Sequence, residues 1–243
     1  MKPLDAGADV AALAARYELP DLARRQLMAL LECVAADPEA PTTVTDRGGI
    51  LRDHLADSLV ALQLPEVRDA TAIADLGAGA GFPGLPLAIA LPGAQVSLVE
   101  SNGRKCTFVA AAIQAAGVSN AAAVHARAES WPDGLGACDL VTARALAPLA
   151  VVAEYAAPLL SVGGSMVAWR GRRDAEDEAA GARAARELGL EPGTVAPVEP
   201  YPGALHRHLH VMRKVAPTPD RFPRRPGMAR KRPLGGASDR PRR

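Results

Sequence analysis

Asp75-Leu-Gly-Ala-Gly-Ala-Gly-Phe-Pro-Gly84 is the stretch on which the reading of this chain turns. Gly77, Gly79, Gly81 and Gly84 remove Cβ atoms from a turn that follows a short apolar run, so backbone can pass close to a ligand and aim its N–H groups at it. The next apolar run ends at Glu100, whose carboxylate can accept hydrogen bonds from a ribose diol. Together they point to a cofactor that contains a nucleoside.

Two frames compete for the glycines. Gly79-Ala-Gly-Phe-Pro-Gly84 satisfies the dinucleotide fingerprint, which an acid about 20 residues further on would complete. Asp75-x-Gly77-x-Gly79-x-Gly81 is instead the first motif of S-adenosylmethionine methyltransferases, in which the acid comes first and the ligand carries no pyrophosphate. The glycines alone leave both open, together with a tight strand-to-helix turn that binds nothing.

Beyond Pro65, short apolar runs alternate with helical stretches, the mark of a parallel α/β sheet. Strands are expected at 71–76, 95–100, 120–125, 138–143, 163–169, 194–198 and 206–214, with helices at 84–91, 103–116, 147–160 and 174–188. No helix separates the last two strands, so Tyr201-Pro202-Gly203 should turn the chain into an antiparallel partner. Ligands in such sheets lie across the carboxyl ends of the strands, where Gly77, Glu100, Glu129 and Arg144 all fall. Upstream, helices at 8–17 and 21–36 are separated by Pro20, and Leu51, Leu55, Leu59 and Leu62 give a third at 50–62 one apolar face. The expected division is a helical cap (1–64), an α/β domain (65–215) and a C-terminal segment (216–243).

Composition narrows the classes. No apolar run reaches the roughly 18 residues that cross a bilayer, and Asp5 and Asp9 stand where a signal peptide has basic and apolar regions. A cytoplasmic protein with no membrane partner is expected. Cys33, Cys106 and Cys138 are too dispersed for a disulfide framework or a zinc site, so no metal is expected. The 243 residues carry a net charge of +1, yet nine basic residues against Asp220 and Asp239 give the segment from Ala216 onward +7, leaving −6 on the rest. That basic, proline-rich end suits a polyanion, nucleic acid ahead of membrane.

These residues resemble a family. His54-Leu-Ala-Asp57-Ser58-Leu59, the loop Asp75 to Pro86, Leu98-Val-Glu100-Ser101 with Arg104-Lys105 and Phe108, Arg127-Ala-Glu129, Thr142-Ala-Arg144-Ala145, Tyr201-Pro-Gly203, and Arg221-Phe-Pro-Arg-Arg-Pro-Gly227 with Lys231 and Pro233-Leu234 follow the order of the bacterial 16S ribosomal RNA guanine-N7 methyltransferases, the glucose-inhibited division protein B (RsmG) family. The resemblance covers roughly residues 40 to 235. It weakens the dinucleotide frame, because a dehydrogenase of this length should carry a substrate domain after its nucleotide half.

The resemblance implies a class I S-adenosylmethionine-dependent methyltransferase, Rossmann-like, with a seven-stranded mostly parallel sheet and an antiparallel last strand. It implies methyl transfer to N7 of one guanine, guanine 527 of the 530 loop, with 16S rRNA, the small subunit or its precursor as partner and altered streptomycin sensitivity as a secondary effect. Gly77, Gly79 and Phe82 would meet the cofactor, Asp75 would support the methionine amino group, and Glu100 would hold the ribose. Ala128 and Glu129 would border the adenine, and Arg144 would lie at the methionine end facing the substrate. Arg221, Arg224, Arg225, Arg230, Lys231 and Arg232 would take RNA phosphates on a segment that prolines hold extended, unless part of it packs on the sheet. Glu100 stands where the family usually has Asp, the asparagine common ahead of the third helix is missing from Pro41-Thr-Thr-Val-Thr45, and the tail beyond Leu234 has no counterpart and is expected to be disordered.

Guanine N7 exposes an in-plane lone pair, so no general base is required and the lack of an obvious His/Asp pair is consistent with the reaction. His206, His208 and His210 alternate along the strand expected at 206–214 and invite a metal reading, but a surface-facing or RNA-facing role is preferred. His54, Asp57 and Ser58, close together on one helix, cannot form a hydrolytic triad and should bond from helix to sheet or sit near the cofactor. Trp131, Tyr155 and Trp169 read as core or core-edge residues. Two other classes remain, a nicotinamide-dependent oxidoreductase and a non-catalytic ribosome-binding protein. A monomer is expected, because no apolar stripe is left over.

Overall fold

In the computed structural model, which describes residues 6–235, seven strands form one sheet. They are β1 (Ala72–Leu76), β2 (Gln95–Glu100), β3 (Ala121–His125), β4 (Cys138–Arg144), β5 (Leu160–Arg170), β6 (Leu190–Pro197) and β7 (His208–Lys214). Their order is β3-β2-β1-β4-β5-β7-β6, with β7 antiparallel to β5 and β6 and the other pairs parallel. Parallel neighbours need a crossover, which is why α-helices separate β1 from β2, β2 from β3 and β4 from β5, while β3 and β4, which are not neighbours, are joined by two 3-10 turns at Ala128–Ser130 and Pro132–Gly134.

Helices cover both faces. The cap is α1 (Ala6–Arg16), α2 (Asp21–Ala36) and a continuous helical stretch α3 over 47–63, and the crossovers are α4 (Gly84–Ala90), α5 (Gly103–Ala115), α6 (Leu149–Ala156) and α7 (Ala175–Glu187). A last single turn, α8, spans Met228–Lys231. One apolar layer joins the cap, α4 and α5 to Ile73, Leu98, Leu140, Val167 and Leu209. The other joins α6, α7 and the C-terminal Phe222, Ala229 and Leu234 to Leu76, Val141, Met166 and Met212. Adjacent residues such as Met166 and Val167 fall in opposite layers, as the two-residue period of a strand requires.

Several boundaries differ from the sequence reading, each for a local reason. The third helix begins near Arg47, where the Asp46 carboxylate accepts from the Gly49 N–H at 2.8 Å, and it is π-helical over Ile50–Ala56. Strand β6 starts at Leu190 rather than 194, because pairing with β7 continues past a register shift between Glu191 and Thr194. A Cβ on Gly193 would fall 1.2 Å from the Val211 carbonyl oxygen, so glycine is what lets the strands stay together there. Strand β7 starts at His208, not 206, since His206 has φ +57° and turns the chain into the strand. The C-terminal segment is folded back onto the sheet rather than extended. The expected disorder of the tail falls on residues 236–243, outside the described residues.

Candidate active site

Strands β2 and β4 flank β1, and the chain leaves β1 and β4 toward opposite sides of the sheet, so a crevice opens at their carboxyl ends. Register sets Asp75 beside Thr142 and Leu76 beside Ala143. Asp75 has no solvent exposure; one carboxylate oxygen accepts from Thr142 Oγ1 and the other from the Gly84 N–H, both at 2.9 Å. Burial pushes its carboxyl up to about 7, against the pull of those two donors and of Arg144. A Cβ on Gly84 would lie 2.8 Å from Asp75 Oδ2, so glycine is required for this closure. Asp75 therefore holds the glycine loop shut from beneath.

Glu100 holds the loop from the other side. Its carboxylate accepts from the Gly79 N–H at 3.1 Å and the Asn102 N–H at 2.8 Å, fastening the loop after β1 to the loop after β2. Gly77 has φ +68°, and a Cβ there would come within 2.6 Å of Leu146, the residue that β4 delivers across the crevice. A cleft of about 310 Å³ lies between these loops, lined among others by Gly77, Ser101, Ala128, Glu129, Tyr155 and Arg230.

On the far side of Leu146 lies the Arg144 cluster. The Arg144 guanidinium donates to the Asp53 carbonyl at 2.7 Å and Asp57 Oδ2 at 2.9 Å, and lies 3.1 Å from His54 Nδ1. His54 Nδ1 also lies 3.1 Å from the Asp53 carbonyl oxygen, and Nε2 lies 2.7 Å from Thr42 Oγ1, so both ring nitrogens are engaged. Burial and the Arg144 charge hold His54 down to about 4, so it is neutral. The His54 ring stacks on Phe82 at 4.5 Å, and Arg144 lies over the same ring at 5.6 Å. The indole N–H of Trp169 donates to the Asp57 carbonyl at 2.7 Å, tying α3 to β5. A second cleft, about 380 Å³, opens here, with Arg144, Arg170, Arg207 and His208 on its walls beside Asp53 and Asp57.

A family model described as rRNA small subunit methyltransferase G (GidB) matches residues 40–200. The chain belongs to this family. Proteins named Ribosomal RNA small subunit methyltransferase G from Chloroflexus aggregans and Roseiflexus sp. are 41% and 43% identical, each over 79% of this chain and 82% and 83% of their own. Among solved structures, the S-adenosylmethionine-dependent methyltransferase SibL in its apo form superposes with a TM-score of 0.58 at 15% identity, over 88% of this chain and 71% of its own. A SAM-dependent methyltransferase from Aquifex aeolicus gives 0.53 at 15% identity, over 69% of this chain and 93% of its own. At such identities the likeness is one of fold, which is the class I methyltransferase fold.

Membership in the rRNA small subunit methyltransferase G family makes this an rRNA methyltransferase with S-adenosylmethionine as cofactor, and the dinucleotide frame is set aside. The residues present fit that ligand: a glycine cradle, two carboxylates fastening it, and a cleft within the usual volume range for small ligands. Gly77, Gly79, Glu100, Ala128 and Glu129 surround or fasten the first cleft, whereas Phe82 is covered by His54 and Arg144.

The basic segment does more than the sequence reading assigned to it. Arg224 forms a double hydrogen bond with buried Glu154, Arg221 pairs with Glu187 at 2.9 Å, and Arg230 donates to the Leu146 carbonyl at 2.8 Å. Arg225, Lys231 and Arg232 are exposed. The histidine reading also changes: His210 is buried rather than facing the surface, His208 bonds the Gly171 carbonyl at 2.9 Å, and His206 precedes the strand. Among the described residues no three His, Cys, Asp or Glu side chains converge as metal ligands, and no helix is long and apolar enough to cross a membrane. Sequence reasoning missed Arg170, Arg207 and Tyr155 as cleft residues. Arg207 stands beside the family's turn motif at Tyr201-Pro202-Gly203, but its meeting with Asp53 and Asp57 joins segments far apart in the chain.

Proposed function

We propose that this enzyme transfers the methyl group of S-adenosylmethionine to N7 of a single guanine in 16S rRNA, guanine 527 of the 530 loop. The supporting observation is the second cleft, where three arginines face a base-sized space while His54, Asp53 and Asp57 on its walls are each held by a neighbouring side chain. His54 is neutral and engaged at both ring nitrogens, and Asp57 is bound by Arg144. Tyr201 donates to Asp53 at 2.7 Å. N7 has its own lone pair and needs no proton removed, so a site built of fixed cations suits it.

The cofactor supplies an electrophilic sulfonium methyl. This chain's residues supply orientation: Gly77, Gly79 and Glu100 fix the cofactor cradle, with Asp75 acting through the loop. Arg144, fixed in orientation by Asp53, Asp57 and His54, presents its remaining donors to guanine O6 or to a phosphate. Reaction requires N7 at roughly 3–3.5 Å from the methyl carbon, in line with sulfur, and fixed groups reach that geometry with little reorganisation.

Arg144→Ala is expected to abolish methylation while leaving affinity for S-adenosylhomocysteine, measured by calorimetry, within a few-fold. Abolished ligand binding would move Arg144 into the cofactor site. A mass-spectrometric map of 16S rRNA from cells with and without the enzyme should differ by one N7-methylguanosine in the 530 loop, with a matching change in streptomycin sensitivity. An unaltered map would refute the proposal.

A further inference from the structure

Beyond β7 the chain doubles back under α6 and α7 and passes beside the cofactor cleft on its way. Its path is fastened at four points: Phe222, Ala229 and Leu234 are buried in the second apolar layer, Arg224 pairs with Glu154, Arg183 donates to the Gly235 carbonyl at 2.7 Å, and the Gly227 N–H donates to Glu129 Oε1 at 2.9 Å. The last contact lands on a residue of the cleft itself. Gly227 has φ +81°, a conformation open to glycine at little cost, and from it the single turn α8 brings the exposed Arg230 to the rim of the cleft. Arg230 donates to the Leu146 carbonyl and lines the cleft with Ala128, Glu129 and Tyr155.

We infer that this C-terminal strap is a wall of the cofactor site, with Arg230 a cofactor-binding residue and the Glu129–Gly227 hydrogen bond the latch that seats it. The chemistry matches the nucleoside end. Guanidinium only donates, and an adenine presents three ring nitrogens that accept in its plane. Arg230 sets one end of its fork on a backbone carbonyl and retains further N–H groups at the cleft wall, where Ser101 and Arg127 also stand. The inference rests on the cofactor assignment above, but it concerns a segment that the glycine loop and the strand-end motifs do not include.

Calorimetric titration of the full-length protein with S-adenosylhomocysteine, paired with hydrogen exchange over residues 217–235, tests it. Arg230→Ala should weaken binding about five- to tenfold, the loss of one or two hydrogen bonds, and Arg230→Lys should fall between. Arg225→Ala, an exposed neighbour on the same strap, should bind as the unaltered protein does. Ligand should slow exchange across the strap in the unaltered protein and less in Arg230→Ala. Equal affinities with strap exchange indifferent to ligand would overturn the inference while leaving the cofactor assignment intact. A strap already unprotected in ligand-free Arg230→Ala would make Arg230 a docking residue instead of a ligand contact, which also overturns it. Failure of the unaltered protein to bind S-adenosylhomocysteine would refute the underlying cofactor assignment instead.

Discussion

Asp75 and His54 carry titration behaviour of opposite sign a short distance apart. Asp75 is raised from its ordinary 3.8 to about 7 by burial, so below 3.8 folded and unfolded chains both hold the proton and nothing is lost. As pH rises toward 7 the unfolded chain ionises first and stability declines, by on the order of 4 kcal/mol if the whole shift is expressed. His54, lowered from 6.5 to about 4 by burial and by Arg144, acts oppositely: stability is full above 6.5 and is lost as pH falls toward 4. Asp75→Asn separates the two. Its amide can accept from the Gly84 N–H and donate to the Thr142 hydroxyl, so the loop closes without an ionisable group. Urea unfolding at pH 5 and pH 7.5 should find the variant gaining on the unaltered protein as pH rises; a constant difference would mean that Asp75 is already ionised in the fold.

At the scale of elements, the strap is held by a buried ion pair that composition alone read as free charge. Glu154 on α6 is 2% exposed and Arg224 reaches it from the strap with both ends of its fork. Removing the cation strands the carboxylate, so Arg224→Leu should cost about 3 kcal/mol or more, whereas the double variant Arg224→Leu/Glu154→Leu should recover most of the loss. Strictly additive effects in urea unfolding would show that the two side chains do not depend on each other. This pair also marks the limit of what the chain made legible. The glycine loop, Glu100 and Arg144 could be placed because periodicity fixes strand ends, and strand ends fix the crevice. Arg224, Arg230 and Arg207 could not, because an arginine's partner is set by which distant segment packs opposite it. The π-helical turn over Ile50–Ala56 escaped for a similar reason: its leucines keep helical spacing, and the extra residue per turn shows only in the backbone.

For the whole molecule, the strap has an inner face that belongs to the core and an outer face with Arg225, Lys231 and Arg232 exposed. Those two roles make truncation a poor test of RNA binding. A chain ended at Ala216 would strip Phe222, Ala229 and Leu234 from the second apolar layer, at a cost on the order of 5 kcal/mol, and any loss of RNA binding would follow from the loss of fold. Replacing Arg225, Lys231 and Arg232 together by Gln leaves the buried face and the Arg224–Glu154 pair in place and removes three charges from the outer one. Melting temperature should then stay near that of the unaltered protein. If each cation displaces counterions from an rRNA phosphate, the slope of log affinity against log salt should fall by about 2 to 3, and binding should weaken most at low salt. Filter binding of an rRNA fragment across a salt series reads this directly. A slope unchanged by the triple substitution would leave RNA to the Arg144 side of the sheet alone, and the strap to the cofactor.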